Sequence, residues 1–189
     1  MVVVHGLGSR ASNHADFAAR CAVRGWAALA VDLRGHGASP DGPGDGMLDD
    51  VLAGVDHLAA AGHGAIGVRG SSLGGFLALH AASRTPRVRA VVAICPARPE
   101  SVAARIGNDW PLALPALPGA TGPDGVARGY WHATGDEQVP WGGTASLAAR
   151  TPHPMRLRVA LGGTHRSLQH DPAVQADTVA FLADHLDAP

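Results

Sequence analysis

The chain has 189 residues, about one domain's worth and enough to bury a sizeable core, and a formal net charge of −1. That balance gives no electrostatic case for nucleic acid or an anionic membrane surface. No apolar stretch approaches a membrane span, and the N-terminus opens directly on Val2-Val3-Val4 without a charged leader, so a soluble, cytoplasmic protein is expected. All 15 basic residues are arginine, which reads as a composition bias beside the abundant Ala, Gly and Pro. Cys21 and Cys95 sit in apolar surroundings and read as inert buried thiols, with neither a disulfide framework nor a zinc pattern.

Taken in order, Val2-Val3-Val4 is a β-branched strand that delivers the glycine-rich loop His5–Ser9. Asn13 is placed to cap a helix over residues 14–24, with Phe17 and Cys21 inward and Gly25 as its stop. Trp26–Val31 reads as the second strand, and the segment 34–44 is too rich in Gly and Pro for regular structure. Leu48, Val51, Val55 and Leu58 recur at helical spacing and end at Gly62 and Gly64. Ala65–Arg69 is a buried strand, Phe76–Ala82 a helix, and Val88–Cys95 a further strand.

Residues 96–126 break the rhythm. They hold a short helix near 101–106 and the apolar loop 110–118, read as a lid over a pocket. Ala127–Ala133 is a strand, residues 143–150 a short helix, and Met155–Leu161 alternates as a half-exposed edge strand should. Asp171-Pro172 opens the last helix, whose buried stripe is Val179, Leu182, Ala183 and Leu186. No repeat, linker or second domain is legible, so residues 1–189 read as a single domain. The fold class is α/β, a doubly wound, mostly parallel sheet of about six strands with helices on both faces. Such sheets bind ligands at the carboxyl ends of their strands, where four loops carry the polar residues of interest.

Gly70-Ser71-Ser72-Leu73-Gly74-Gly75 joins a strand to a helix by a turn that tolerates no bulk beside the serine. It would present the Ser72 hydroxyl at the positive end of the helix, where a developing oxyanion is favoured. A serine hydroxyl needs a base beside it. Among the downstream histidines, His132 lies inside a strand, His153 between helix and strand, and His185 late in the last helix. His165, in Gly162-Gly163-Thr164-His165, follows a strand directly, and His170 is the second choice. Asp136 follows the fifth strand and suits the carboxylate that orients the base, with Glu137 pointing outward and Asp171 better explained as a cap. Oxyanion donors are expected from the N–H of Leu73 and of Leu7, or else of Gly8.

Together these segments resemble the α/β-hydrolase superfamily, serine branch, in the style of small carboxylesterases and monoacylglycerol-lipase-like enzymes. His5-Gly6-Leu7-Gly8 resembles its oxyanion loop, and Gly70–Gly75 its nucleophile elbow. Gly135-Asp136-x-x-Val139-Pro140 and Gly163-Thr164-His165 resemble its acid and histidine segments. Asp32-Leu33-Arg34-Gly35-His36-Gly37-Ala38-Ser39 resembles a structural signature of the family.

The resemblance implies a serine hydrolase cleaving a carboxylic ester of modest acyl size, with Ser72, His165 and Asp136 as triad and no metal or organic cofactor. Its activity should fall on acidification as His165 takes up a proton. A thioesterase or acyltransferase, a small peptidase, and a non-catalytic binding module on the same fold are the alternatives. Against the family's usual eight-stranded sheet the chain starts at the third strand, so either it is a minimal version or the true start lies upstream; in both cases an exposed edge is expected that a second copy could cover.

Overall fold

The computed structural model describes residues 1–42, 46–98, 125–152 and 155–187. Six strands form one parallel sheet: β1 (Val2–Val4), β2 (Leu29–Val31), β3 (Ile66–Ser71), β4 (Val88–Ile94), β5 (Ala127–Ala133) and β6 (Met155–Ala160). Their spatial order is β2-β1-β3-β4-β5-β6, so the chain winds outward from β1 in both directions. Val4 lies opposite Val31 on one side and Gly70 on the other, which sets the loops after β1 and β3 side by side.

The helices are α1 (Ala15–Val23), α2 (Met47–Ala60), α3 (Leu73–Arg84), α4 (Trp141–Ala148), α5 (Ser167–His170) and α6 (Pro172–Leu186). Strand side chains alternate between two cores. Val2, Val4, Val68, Val91 and Tyr130 pack with Val51 and Val55 of α2 and Phe76 of α3. Val3, Val92, Ile94 and Trp131 pack on the other face with Phe17 and Cys21 of α1 and Phe181 and Leu182 of α6. The doubly wound α/β sheet is therefore present as expected, and both cysteines are buried.

Several local expectations need correction. Asn13 caps nothing: it lies in a 3-10 turn over Ala11–His14, its side-chain amide donates to Ser9 Oγ (3.1 Å), and α1 starts only at Ala15. Asp32 has taken over the entry to that turn by accepting from the Ala11 N–H at 2.6 Å. The second strand begins at Leu29 rather than Trp26, because Trp26 still belongs to the end of α1. With Gly25 at φ +80, the Trp26 N–H donates back to the Cys21 carbonyl and the Gly25 N–H to that of Ala22.

In α2, Leu48 is only half-buried. Gly54 is buried instead, where a Cβ would stand 3.2–3.3 Å from side-chain carbons of Val31 and Val2. Helix α4 starts at Trp141, directly after Pro140, not at residue 143. On α6 the fully buried positions are Gln175, Thr178, Phe181 and Leu182, while Val179 and Leu186 are partly buried against the same core and Ala183 is half-buried. Gln175 is buried at no polar cost, since it accepts from Arg20 Nε (2.6 Å) and donates to Asp16 (2.6 Å). The helix expected near 101–106 and the apolar loop 110–118 lie outside the described residues, as does His153.

Candidate active site

The turn from β3 into α3 is the most constrained point of the backbone. Ser72 has φ 53 and ψ −119, a left-handed conformation that a side-chain-bearing residue adopts only under constraint. The constraint is visible in its neighbours. A Cβ on Gly70 would meet the Gly74 carbonyl oxygen at 2.1 Å, and one on Gly74 would meet that of Val4 at 2.3 Å. Gly6 approaches less tightly from the loop after β1, with the Ser72 Cβ 3.2 Å from where its own would be. The Ser72 N–H donates to the Ile94 carbonyl (2.9 Å), and its carbonyl accepts from Phe76 (3.1 Å) and Ala97 (3.0 Å).

His5 shapes the loop after β1. Its Nδ1–H donates to the Gly6 carbonyl (2.8 Å) while Nε2 accepts from the Leu33 N–H (3.1 Å). The Gly6 carbonyl also accepts from the Ser9 N–H (3.1 Å). In a planar trans peptide the Leu7 N–H points opposite to that anchored carbonyl. Leu7, Leu73, Ser72 and His165 line one cavity of about 240 Å³, together with Asn13, Gln169 and His170.

Asp136 and His165 are joined at 2.6 Å, Oδ2 accepting from Nδ1, with the carboxylate fully buried and the ring nearly so. That bond places the proton on Nδ1 and leaves Nε2 as a lone-pair acceptor. Asp136 Oδ1 accepts two backbone bonds, from Gln138 and Val139 (both 2.9 Å), which accounts for the turn preceding Pro140. Burial works to raise the Asp136 carboxyl. The donors His132, His165 and the Val139 N–H outweigh it and hold the group well below the usual carboxylate range. Glu137 points into solvent.

Cys95, Asp136 and His165 offer side-chain donors within 4.8 Å of one another, the one such cluster of three among the described residues. The set does not suit a metal ion. The hydrogen bond to Asp136 occupies Nδ1, and burial, with Asp136 alongside, pushes the Cys95 thiol up to about 12, away from the thiolate a metal needs.

The structure thus gathers Ser72, His165, Asp136, Leu7 and Leu73 at one end of the sheet. His170 lines the same cavity, but its Nδ1 is tied to Asp16 (2.9 Å) and its ring stacks on His14. Asp171 caps α6, accepting from Ala173 and Val174. Asp32 accepts from Ala11 and Ala38, and Arg34 forks onto Asp50, so that segment is tied to the turn at Ala11 and to α2.

Sequence reasoning missed His132. Its ring is fully buried, with Nε2 3.2 Å from Asp136 Oδ2 and 2.9 Å from the Val139 carbonyl, and Nδ1 2.8 Å from Thr144 Oγ1. A histidine inside an otherwise buried strand, four residues before the acid, was the available signal, because a buried ring must find partners.

A family model described as serine aminopeptidase, S33 (Hydrolase_4), matches residues 1–123. The chain belongs to that family. Its fold is that of the α/β-hydrolases. Among solved structures, the Paleococcus ferrophilus monoacylglycerol lipase superposes with a TM-score of 0.78 at 19% identity, covering 97% of this chain and 93% of its own. A thermophilic esterase from Thermogutta terrifontis gives a TM-score of 0.72 at 19% identity, covering 97% and 89%. Identities this low speak for the fold alone.

In sequence, the pimeloyl-[acyl-carrier protein] methyl ester esterase of Xanthomonas campestris pv. campestris is 40% identical over 114 residues, 60% of this chain and 42% of that protein. The enzyme of the same name from Stenotrophomonas maltophilia is 39% identical over 114 residues, 60% and 40% of the two chains. The matched stretch thus spans less than half the length of either relative. Among the described residues, no helix is long and apolar enough to cross a membrane.

Proposed function

We propose that the chain is a serine esterase acting on carboxylic esters of modest acyl size. The observation that carries this reading is a serine held at positive φ at the head of a helix, sharing a cavity with a histidine whose far nitrogen is bound to a buried carboxylate. In this reading Ser72 Oγ bonds to the acyl carbon as its proton passes to His165 Nε2. The oxyanion is held by the N–H groups of Leu73, at the first turn of α3, and of Leu7. His165 then gives its proton to the leaving alcohol. The same nitrogen deprotonates the water that cleaves the acyl-enzyme, which returns the proton to Ser72.

The name of the Xanthomonas relative, an esterase of a methyl ester, supports an oxyester as the first substrate to try. The family description, serine aminopeptidase, keeps an amide as the second. Short p-nitrophenyl esters test the proposal. Ser72→Ala, folded by circular dichroism, is expected to lower turnover by at least about a thousandfold. Undiminished turnover would refute it. A panel of oxyester, thioester and aminoacyl amide of matched acyl group then separates esterase from thioesterase and peptidase.

A further inference from the structure

We propose that His132 is a positioning residue that fixes the Asp136 carboxylate in the orientation His165 requires. The proposal rests on the reading of Ser72, His165 and Asp136 as a triad and adds a fourth side chain that never meets substrate. The two backbone bonds to Asp136 both fall on Oδ1, from Gln138 and Val139. Alone they leave the group able to pivot about that oxygen, swinging Oδ2 out of line with His165. Nε2 of His132 lies 3.2 Å from Oδ2 and adds a restraint on that oxygen from the core, beside the Cys95 thiol that also bonds the carboxylate. Oδ2 is thereby held between two imidazoles, His165 from the cavity side and His132 from within the core.

The tautomer follows from the partners. Nε2 of His132 faces two acceptors, Asp136 Oδ2 and the Val139 carbonyl, so it carries the proton. Nδ1 faces the Thr144 hydroxyl at 2.8 Å, which can turn to donate. Every polar atom of the ring is satisfied with the ring neutral. Neutrality matters: a neutral donor anchors the carboxylate without cancelling the charge that must stabilise the imidazolium of His165 during the reaction. A cationic ring at that place would divide the carboxylate between two imidazoliums. The Val139 carbonyl also ties the ring to the residue whose N–H holds Oδ1, so one contact braces the whole acid turn.

The test compares His132→Leu, His132→Gln and Thr144→Val, with p-nitrophenyl ester kinetics and the low-field proton resonance of His165 Nδ1–H as readouts. Leucine fills the space without a donor and is expected to lower kcat by about tenfold to a hundredfold with KM unchanged, as loss of an outer supporting residue does. The low-field resonance should move upfield or broaden. Glutamine, whose amide N–H can reach the same two acceptors, should restore kcat to within a few-fold of wild type.

Thr144→Val, which keeps the shape and removes the hydroxyl, should lower kcat by a few-fold. It decides the matter should His132→Leu not fold. A folded His132→Leu with kcat within twofold of wild type overturns the proposal, as does a lowered melting temperature with the resonance unmoved. Where His132→Leu does not fold, an unaltered Thr144→Val overturns it. Should Ser72→Ala retain turnover, the triad reading fails first. Loss in Ser72→Ala beside full activity in a folded His132→Leu removes only the role of His132.

Discussion

Gly135 and Gly163 meet backbone to backbone: a Cβ on Gly135 would stand 2.3 Å from the Gly163 carbonyl oxygen. The Gly135 N–H also donates to the neighbouring Gly162 carbonyl at 3.2 Å. This contact draws the loop after β6 onto the loop after β5 and lets the His165 ring reach Asp136. Gly163 itself sits at φ +73, which lets its loop curl back.

Gly135→Ala should therefore push the two loops apart and lower kcat by about tenfold or more, a misplacement effect rather than a lost group. Gly142→Ala is the control, because nothing lies within 4 Å of its added methyl. Ester kinetics of the two variants, with melting temperatures measured alongside, check the expectation.

The serine turn carries a stability prediction. Gly70→Ala and Gly74→Ala each drive a methyl into backbone, at 2.1 Å from the Gly74 carbonyl oxygen and 2.3 Å from that of Val4. Backbone at the centre of a sheet cannot give way as a flexible side chain can. Each substitution should cost about 3 kcal/mol or more. Gly64→Ala, which meets nothing within 4 Å, should lie within about 0.5 kcal/mol of wild type. Urea unfolding midpoints give the comparison.

Two buried histidines contribute to the acid side of the stability profile. His14 is lowered from 6.5 to about 4 by burial and then by the nearby Arg69, and neither ring nitrogen has a hydrogen-bond partner among the described residues. His80 is lowered from 6.5 to about 4 by burial and then by Arg84. Between those values the unfolded chain binds the protons and the native protein does not. Their contribution to native stability is accordingly full above 6.5 and is lost progressively as pH falls towards 4. Unfolding midpoints at several pH values should show that slope, and His14→Gln or His80→Gln should each flatten it.

The last helix separates a cap from a core contact. Asp171 accepts from the N–H groups of Ala173 (2.8 Å) and Val174 (3.0 Å), so Asp171→Ala should cost about 1 kcal/mol. Phe181 is buried edge-on against Trp131 at 5.7 Å, and Phe181→Ala should cost about 3–5 kcal/mol. Thermal and chemical unfolding of the two variants will rank them.

Sheet class and site segments were legible because each rests on a local rule. β-Branched and apolar runs separated by helical patterns imply parallel strands, and a loop directly after a strand lies at the binding end of the sheet. Ser72, Asp136 and His165 were legible as positions after strands, and Asp171-Pro172 as a helix start. What the sequence hid depends on partners distant along the chain. Asn13 reads as a cap until Asp32 is seen holding the Ala11 N–H across the fold.

Gln175 and Thr178 fall outside the expected buried stripe of the last helix, and their burial follows from bonds made within the fold. His132 reads as a poor base because it lies inside a strand and not in a loop directly after one. That placement carries no weight against a residue that braces the acid from behind.

Labelling with a fluorophosphonate probe is the sharpest test of the triad of Ser72, His165 and Asp136, since it requires nucleophile, base and oxyanion donors at once. One covalent adduct is expected, mapped by peptide mass to Ser72 and lost in a folded His165→Ala variant. A folded wild-type protein that takes no label, or takes it on another residue, would contradict that triad.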